Sequence, residues 1–141
     1  MSERGRRVGI DVGAVRVGVA LSDPDGLIAT PLLTVPRDVD GGSDVAAIAA
    51  LVAEHEAVGV VVGLPRTLAG REGPAAEAAR AFVAALEPAL DVPIELVDER
   101  LTTVVATRQL RESGRKGRRQ RAVVDQVAAV GILQGWLDTR R

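Results

Sequence analysis

The sequence predicts an α/β domain: a five-stranded mixed sheet, three antiparallel meander strands plus two parallel strands, with helices on both faces. Three observations predict it. The chain opens with apolar residues at period 2, its middle holds an unalternated apolar run, and its later segments carry apolar residues at helical spacing. The chain has 141 residues, a length that predicts one domain over 1–141. Such a domain buries roughly 68% of its unfolded surface, enough to fold without a disulfide or structural metal.

In the first segment Val8, Ile10 and Val12 alternate with Gly9 and Asp11, and after Gly13-Ala14 the alternation resumes from Val15 to Ser22. Two such runs about a short glycine-containing link read as a β-hairpin. Asp23-Pro24-Asp25-Gly26 is a turn, and Leu27 to Val35 makes a third strand. Gly41-Gly42-Ser43 then gives a loop with Ser43 as N-cap, and Val45, Ile48, Ala49 and Val52 mark a helix. Val58 to Gly63 is apolar without alternation, as in strands buried on both faces. Pro74 starts a second helix at its first position, with Ala78, Ala81, Phe82 and Ala85 as the expected inner stripe. Pro93 to Val97 forms a fifth strand, Thr102 or Thr103 caps a helix ending near Gly114, and a last helix runs from about Arg119 to Asp138.

Composition removes several kinds of function. The chain has no Cys, which excludes disulfides, thiolate metal sites and Cys nucleophiles and fits a reducing cytoplasm. No apolar run approaches the roughly 20 residues that span a bilayer, and Met1 to Asp11 lacks a signal-peptide core. A soluble, cytoplasmic protein with no membrane partner is expected. The net charge of −1 hides an asymmetry: from Arg100 to Arg121 stand eight basic residues against one acid, Glu112, a local charge of +7. A basic block on a neutral domain points to an anionic partner, nucleic acid first; a solvated Arg-rich loop is the plainer alternative.

Three groups of acids are candidates for chemistry. Asp11 shares a strand face with Gly9, Gly13 and Gly18, a bare patch where a ligand or its phosphate can approach the backbone. If the hairpin link is a two-residue turn, Asp11 lies opposite Arg16, and a cross-strand ion pair is the rival explanation. Asp98 and Glu99 follow the fifth strand, at the carboxyl end where open α/β sheets bind ligands. Asp125 precedes Ala128, Ala129, Ile132, Leu133 and Trp136 at intervals of 3, 4, 7, 8 and 11, on the inward stripe of the last helix unless it caps a helix that begins later. An isolated buried carboxylate there needs a cation, a donor or a metal. Oxygen ligands without Cys or a His cluster suit Mg²⁺ or Mn²⁺ rather than zinc. Divalent ions held by carboxylates acidify water and stabilise the leaving oxygen in phosphodiester hydrolysis. Arg66 and Thr67 leave the fourth strand at its ligand-binding end and are candidate substrate contacts, with a tight turn as the alternative. His55 ends the first helix as an ordinary structural histidine, and Phe82 and Trp136 belong to the core. With no Tyr, the chain lacks the stacking platform of many single-strand binders.

Four blocks, GIDVGAVRVGVALSD (9–23), VVVGLPRTLAGREGP (60–74), VDERLTTVVA (97–106) and VVDQVAAVGILQGWLD (123–138), stand in an order that resembles the YqgF/RuvX family across essentially the whole chain. That family comprises bacterial RNase H-like proteins described as Holliday-junction resolvases and as nucleases maturing the 5′ end of pre-16S ribosomal RNA. The first block also resembles the phosphate-binding hairpin of sugar kinases and actin-like ATPases. By position, the resemblance implies Asp11, Glu99 and Asp125 as catalytic residues and ligands of one or two Mg²⁺ or Mn²⁺ ions, with Asp98 in reserve for Glu99. It implies nucleic-acid contacts at Arg16, Arg100 and the cluster of Arg115, Lys116, Arg118 and Arg119, beside the Arg66 named above. The chain departs from the family at Thr67-Leu68-Ala69, where the family often has Asn-Met.

The expected function is thus a metal-dependent hydrolase of phosphodiester bonds, processing precursor ribosomal RNA. The alternative is a Holliday-junction resolvase acting on branched DNA, which needs two sites and hence a homodimer where the RNA nuclease can be a monomer. Two rivals of another class remain: a nucleotide-binding module, since the hairpin suits phosphate, and an RNA- or ribosome-binding protein without activity. Actin-like kinases close two such domains on a nucleotide, and this chain supplies one.

Overall fold

A computed structural model describes residues 4–67, 69–99 and 118–140, with the backbone alone for 118–123. Strands β1 (Arg7–Val12), β2 (Arg16–Ser22) and β3 (Ala29–Pro36) form the meander, followed by helix α1 (Ser43–Glu54), strand β4 (Gly59–Leu64), helix α2 (Pro74–Leu86), a 3-10 turn (Glu87–Ala89), strand β5 (Ile94–Asp98) and helix α3 (Arg118–Asp138). The sheet order is β3-β2-β1-β4-β5. β1–β2 and β2–β3 are antiparallel, and β1–β4 and β4–β5 are parallel. The mixed five-stranded sheet is as the sequence predicts. The helix expected to end near Gly114 lies outside the described residues.

The unalternated run does become a strand buried along its whole length, β4, because helices cover both faces of the sheet. On one face α1 and α2 pack over Val8, Ile10, Val12, Val17, Val19, Val60, Val62 and Leu64. On the other α3 lays Ala128, Ala129, Ile132, Leu133 and Trp136 over Ala20 and Val61. The chain's one Trp also bonds outward: its Nε1 donates to Glu95 Oε2 at 2.7 Å, and the guanidinium groups of Arg7 and Arg140 stand 4.8 and 4.1 Å from its ring centroid.

Two local expectations are corrected. The inner stripe of α2 is Ala76, Ala79, Phe82 and Leu86, not the set of Ala78, Ala81, Phe82 and Ala85. In an alanine-rich helix the phase is set by the one large partner, Leu86. Ser43 is the first helical residue rather than the cap; Gly42 holds the cap position at φ 76° without a side-chain bond. The capping is supplied from upstream, where the Asp38 carboxylate accepts from the Gly41 and Ser43 N–H groups at 3.0 Å each. Pro74 occupies the start of α2, as expected. No described helix is long and apolar enough to cross a membrane.

Candidate functional site

β1 is the middle strand, and side chains alternate across it. Even-numbered Val8, Ile10 and Val12 go to the α1/α2 face. Gly9 and Asp11 therefore go to the α3 face, where a Cβ built on Gly9 would meet Leu133 Cβ at 2.6 Å. Asp11 is fully buried, one residue from the end of β1. Its cross-strand partner is Gly18, not Arg16. The hairpin link is three residues, Gly13-Ala14-Val15, closed by the Gly13 N–H donating to the Arg16 carbonyl at 2.9 Å. The ion pair between Asp11 and Arg16 expected from a two-residue turn is thereby replaced.

Arg16 goes instead to α3. Its Nε donates to Asp125 Oδ2 at 2.7 Å, with side chains 20% and 3% exposed. Asp125 is the eighth residue of a helix that begins at Arg118, so it is no cap. It lies on the inward stripe beside Ala128, Ala129, Ile132 and Leu133, all buried. Burial of the ionised form is stabilised by this charge-assisted bond.

The glycine patch is also not what the sequence suggests. It is covered by α3 rather than left bare for a ligand. A Cβ on Gly18 would overlap the Asp125 carbonyl oxygen and stand 2.5 Å from its carbon. Glycines here let a helix backbone sit against the sheet, which brings Asp125 down to the level of Asp11. Gly63 of β4 plays a matching part: a Cβ there would overlap Ile132 Cδ1 and stand 2.6 Å from Glu99 Oε1. The sequence shows Gly63 only as the end of the apolar run; in the structure it is the last residue but one of β4.

The two acids after β5 separate cleanly. Glu99 is 2% exposed and reaches over Gly63, on the α3 face. Asp98, opposite Leu64 in the β4–β5 ladder, points to the other face, where Arg66 Nη1 donates to its Oδ2 at 3.4 Å. Arg66 Nη2 also donates to Glu72 Oε2 at 3.4 Å, and Glu72 is held more closely by Arg80 at 2.7 and 2.8 Å. The Arg80 bonds are the main reason that the Glu72 carboxyl titrates below its ordinary range. Arg66 thus stands in an ion-pair network at the end of β4, and Thr67 closes a turn in which its carbonyl accepts from the Gly70 N–H at 2.8 Å.

Behind the hairpin lies a buried pair that sequence reasoning missed. Arg37 Nε donates to Asp44 Oδ2 at 3.2 Å, its Nη1 donates to the Gly13 carbonyl at 3.0 Å, and its N–H donates to the Val15 carbonyl at 2.8 Å. Asp44 is 2% exposed at the start of α1. This clamp fixes the link that follows Asp11 to the first turn of α1. Its partners are 24 residues apart in the case of Gly13, beyond any local pattern.

Asp11, Glu99 and Asp125 are therefore all buried on the α3 face, at the carboxyl ends of β1 and β5 and on the helix above them. Among the described residues, no three acidic or histidine side chains stand close enough to hold one metal ion as placed. Arg100, Arg115 and Lys116 lie outside the described residues. Arg118 and Arg119 open α3, two turns before Asp125, with only their backbone described. His55 ends α1, its Nε2 3.8 Å from the Glu54 carboxylate, and takes no part.

The sequence matches the RuvX family model, described as Holliday junction resolvase, over residues 5–139. A Rhodococcus erythropolis protein named "Putative pre-16S rRNA nuclease" is 59% identical over 141 residues, which cover 97% of this chain and 80% of that one. A Mycobacterium protein (strain KMS) of the same name is 61% identical over 142 residues, covering 98% and 82%. Among solved structures, Thermus thermophilus RuvC in complex with a Holliday junction substrate superposes with a TM-score of 0.57 at 17% identity, covering 96% of this chain and 95% of that one. That likeness shows the fold, which is RNase H-like.

Proposed function

The chain belongs to the RuvX family, and from that premise we propose that it is a nuclease hydrolysing phosphodiester bonds in precursor 16S ribosomal RNA. The observation that carries the reading is the burial of Asp11, Glu99 and Asp125 on one face at one end of the sheet. Three carboxylates gathered out of water on one side of a sheet have the chemistry of a hard-cation site. The names of relatives near 60% identity supply the substrate.

In this reading Asp11, Glu99 and Asp125 hold one or two Mg²⁺ or Mn²⁺ ions. Glu99 is assigned over Asp98 because it shares the face of Asp11, whereas Asp98 is engaged by Arg66 on the other. The donor set fits such an ion in kind: it is all oxygen, in a chain with no Cys and a single His. When bound, a divalent ion there supplies positive charge at the scissile phosphate and acidifies the attacking water. The protein's own part is to fix the carboxylates: Asp11 by the hairpin clamp, Asp125 by the contact of α3 with Gly18. Arg100, Arg115, Lys116, Arg118 and Arg119 hold the nucleic-acid backbone. Arg66, held in its acidic network, is given a lesser share.

A second reading, resolution of Holliday junctions, is favoured by the description of the matched family model. It requires a homodimer to cut both strands symmetrically. One experiment decides between them. Purified protein is given a precursor 16S RNA 5′ segment and a four-way DNA junction side by side, each with Mg²⁺, with Mn²⁺ and with chelator. Metal-dependent cleavage of the RNA alone is the expected outcome. Cleavage of the junction alone overturns the substrate assignment, and no cleavage of either overturns the nuclease reading in favour of a binding protein.

A further inference from the structure

We propose that Arg66 grips one backbone phosphate of the RNA, and that Glu72 and Arg80 are positioning residues that hold its guanidinium for that contact. The inference rests on the nucleic-acid reading above and deepens it. The lesser share of Arg66 becomes one phosphate, on the face of the sheet turned away from Asp11 and Glu99.

Two arginines meet one carboxylate at the end of β4, and they are held very differently. Arg80 closes a fork on Glu72, Nε to Oε1 at 2.8 Å and Nη2 to Oε2 at 2.7 Å, the strong form of such a pair. Arg66 reaches Glu72 Oε2 and Asp98 Oδ2 at 3.4 Å each, beyond the roughly 2.7–3.2 Å usual for these bonds. Its Nε is buried and has no acceptor among the described residues. Arg66 thus makes two weak bonds and strands a third donor. Such a seat stabilises little, because a buried donor without an acceptor costs more than a long bond contributes. What completes it is an anion with several oxygens, and place singles out phosphate. Arg66 stands two residues past β4, the strand between β1 and β5, and bonds the neighbour of Glu99. A nucleic-acid strand crossing the carboxyl ends of these strands meets the carboxylates on one face and Arg66, its side chain 31% exposed, on the other. Phosphate oxygens match the guanidinium fork.

Glu72 acts through being occupied. Both its oxygens are taken by Arg80, so it tethers Arg66 without closing on it. Without Glu72, nothing draws Arg66 away from Asp98. Without Arg80, Glu72 is left to close on Arg66. Either loss turns the guanidinium from the strand.

The test is binding of a fluorescent precursor 16S RNA 5′ segment in chelator, titrated with KCl. The wild type is compared with Arg66→Gln, Glu72→Ala and Arg4→Gln, each checked for folding by circular dichroism. Arg4, paired with Asp25 at the other end of the sheet, controls for the simple loss of a positive charge. Arg66→Gln is expected to bind about fivefold more weakly at about 0.1 M salt. Its slope of log K against log salt should be smaller by about 0.7, the value for one phosphate on a single strand. Glu72→Ala separates positioning from plain charge, since removing an acid by itself tightens RNA binding. Here roughly two- to threefold weaker binding is expected instead, with the smaller slope, and no further loss when Arg66→Gln is added. An unchanged slope in Arg66→Gln, an equal loss in Arg4→Gln, or tighter binding by Glu72→Ala overturns the proposal while leaving RNA binding standing. No binding by the wild type removes the nucleic-acid reading, and this proposal with it. Should Arg66→Gln not fold, the wild type answers by NMR: the Arg66 Nε–H resonance is expected to shift as RNA is added. A resonance unmoved at saturation overturns the proposal.

Discussion

On the face covered by α1 and α2 the sheet presents Val8, Ile10, Val12, Val17, Val19, Val60, Val62 and Leu64, none more than 3% exposed. On the face covered by α3 the same strands present Gly9, Asp11, Gly18, Ala20, Val61 and Gly63. One face is filled with branched aliphatic side chains that keep the helices at a distance. The other is stripped to small residues so that a helix backbone can lie against it, and the space released holds carboxylates. The first arrangement gives hydrophobic burial, at about 25 cal/mol per Å² of apolar surface. The second gives up some of that burial for fixed acidic groups. Stability and chemistry are thus assigned to opposite sides of strands only one residue thick.

If that division is right, substitutions on the two faces separate rate from stability. The largest effect is expected on the α3 face: Asp11→Asn, nearly the same in shape, should lower metal-dependent cleavage about 10³-fold or more. Its melting temperature should fall little or rise, and a wild-type rate would break the assignment of the site. Next comes Gly18→Ala, whose methyl must push α3 and Asp125 away. A loss of roughly 10²-fold in kcat is expected from such a misplacement, with about 1–3 kcal/mol of stability from overpacking. Steady-state kinetics beside urea unfolding would show both. On the opposite face Ile10→Val should cost only about 1 kcal/mol and leave kcat per folded molecule unchanged. A reduced kcat there would show that the faces are coupled through β1.

The smallest effect lies away from both faces, at the turn between β2 and β3. The Asp23 carboxylate accepts from the Ile28, Leu27 and Asp25 N–H groups at 2.7, 2.8 and 3.0 Å. The Ile28 bond leads in holding its pKa below the ordinary value. A folded-state pKa that is lowered gives stability present above the unfolded value, about 3.9, and lost as pH falls through the folded one. Wild-type stability should therefore decline below about pH 4 more than that of Asp23→Asn. Equal acid titration curves in urea melts would show that the turn contributes nothing to the meander.

Much of this division could be read from the chain, and the failures have physical causes. Period 2 in β1 and β2, the unbroken run of β4 and the stripe behind Asp125 each depend on residues near in sequence, and each holds in the structure. The partner of Arg16 depended on the register of the hairpin: Val12 pairs with Val17, two residues beyond the partner that a Gly13-Ala14 link gives, and this brings Gly18 opposite Asp11. The choice between Asp98 and Glu99 depended on where β5 stops, because each step along a strand reverses the face. The phase of α2 was obscured by alanines on every side of the helix. The glycines of β1 and β2 announced a close approach truthfully, but a glycine does not say whether a ligand or a helix approaches. The Arg37–Asp44 clamp had no local signal at all.

The single tryptophan gives the molecule an optical reporter of its own. Trp136 lies on the same continuous helix as Asp125, about 16 Å along its axis, with two guanidinium groups over its ring and its Nε1 bonded to Glu95. Undocking of α3 strips Arg7 and Glu95 from the ring and admits water to the indole. With no tyrosine in the chain to contribute a background, ultraviolet emission follows the seating of one helix, the one that carries a carboxylate of the proposed site.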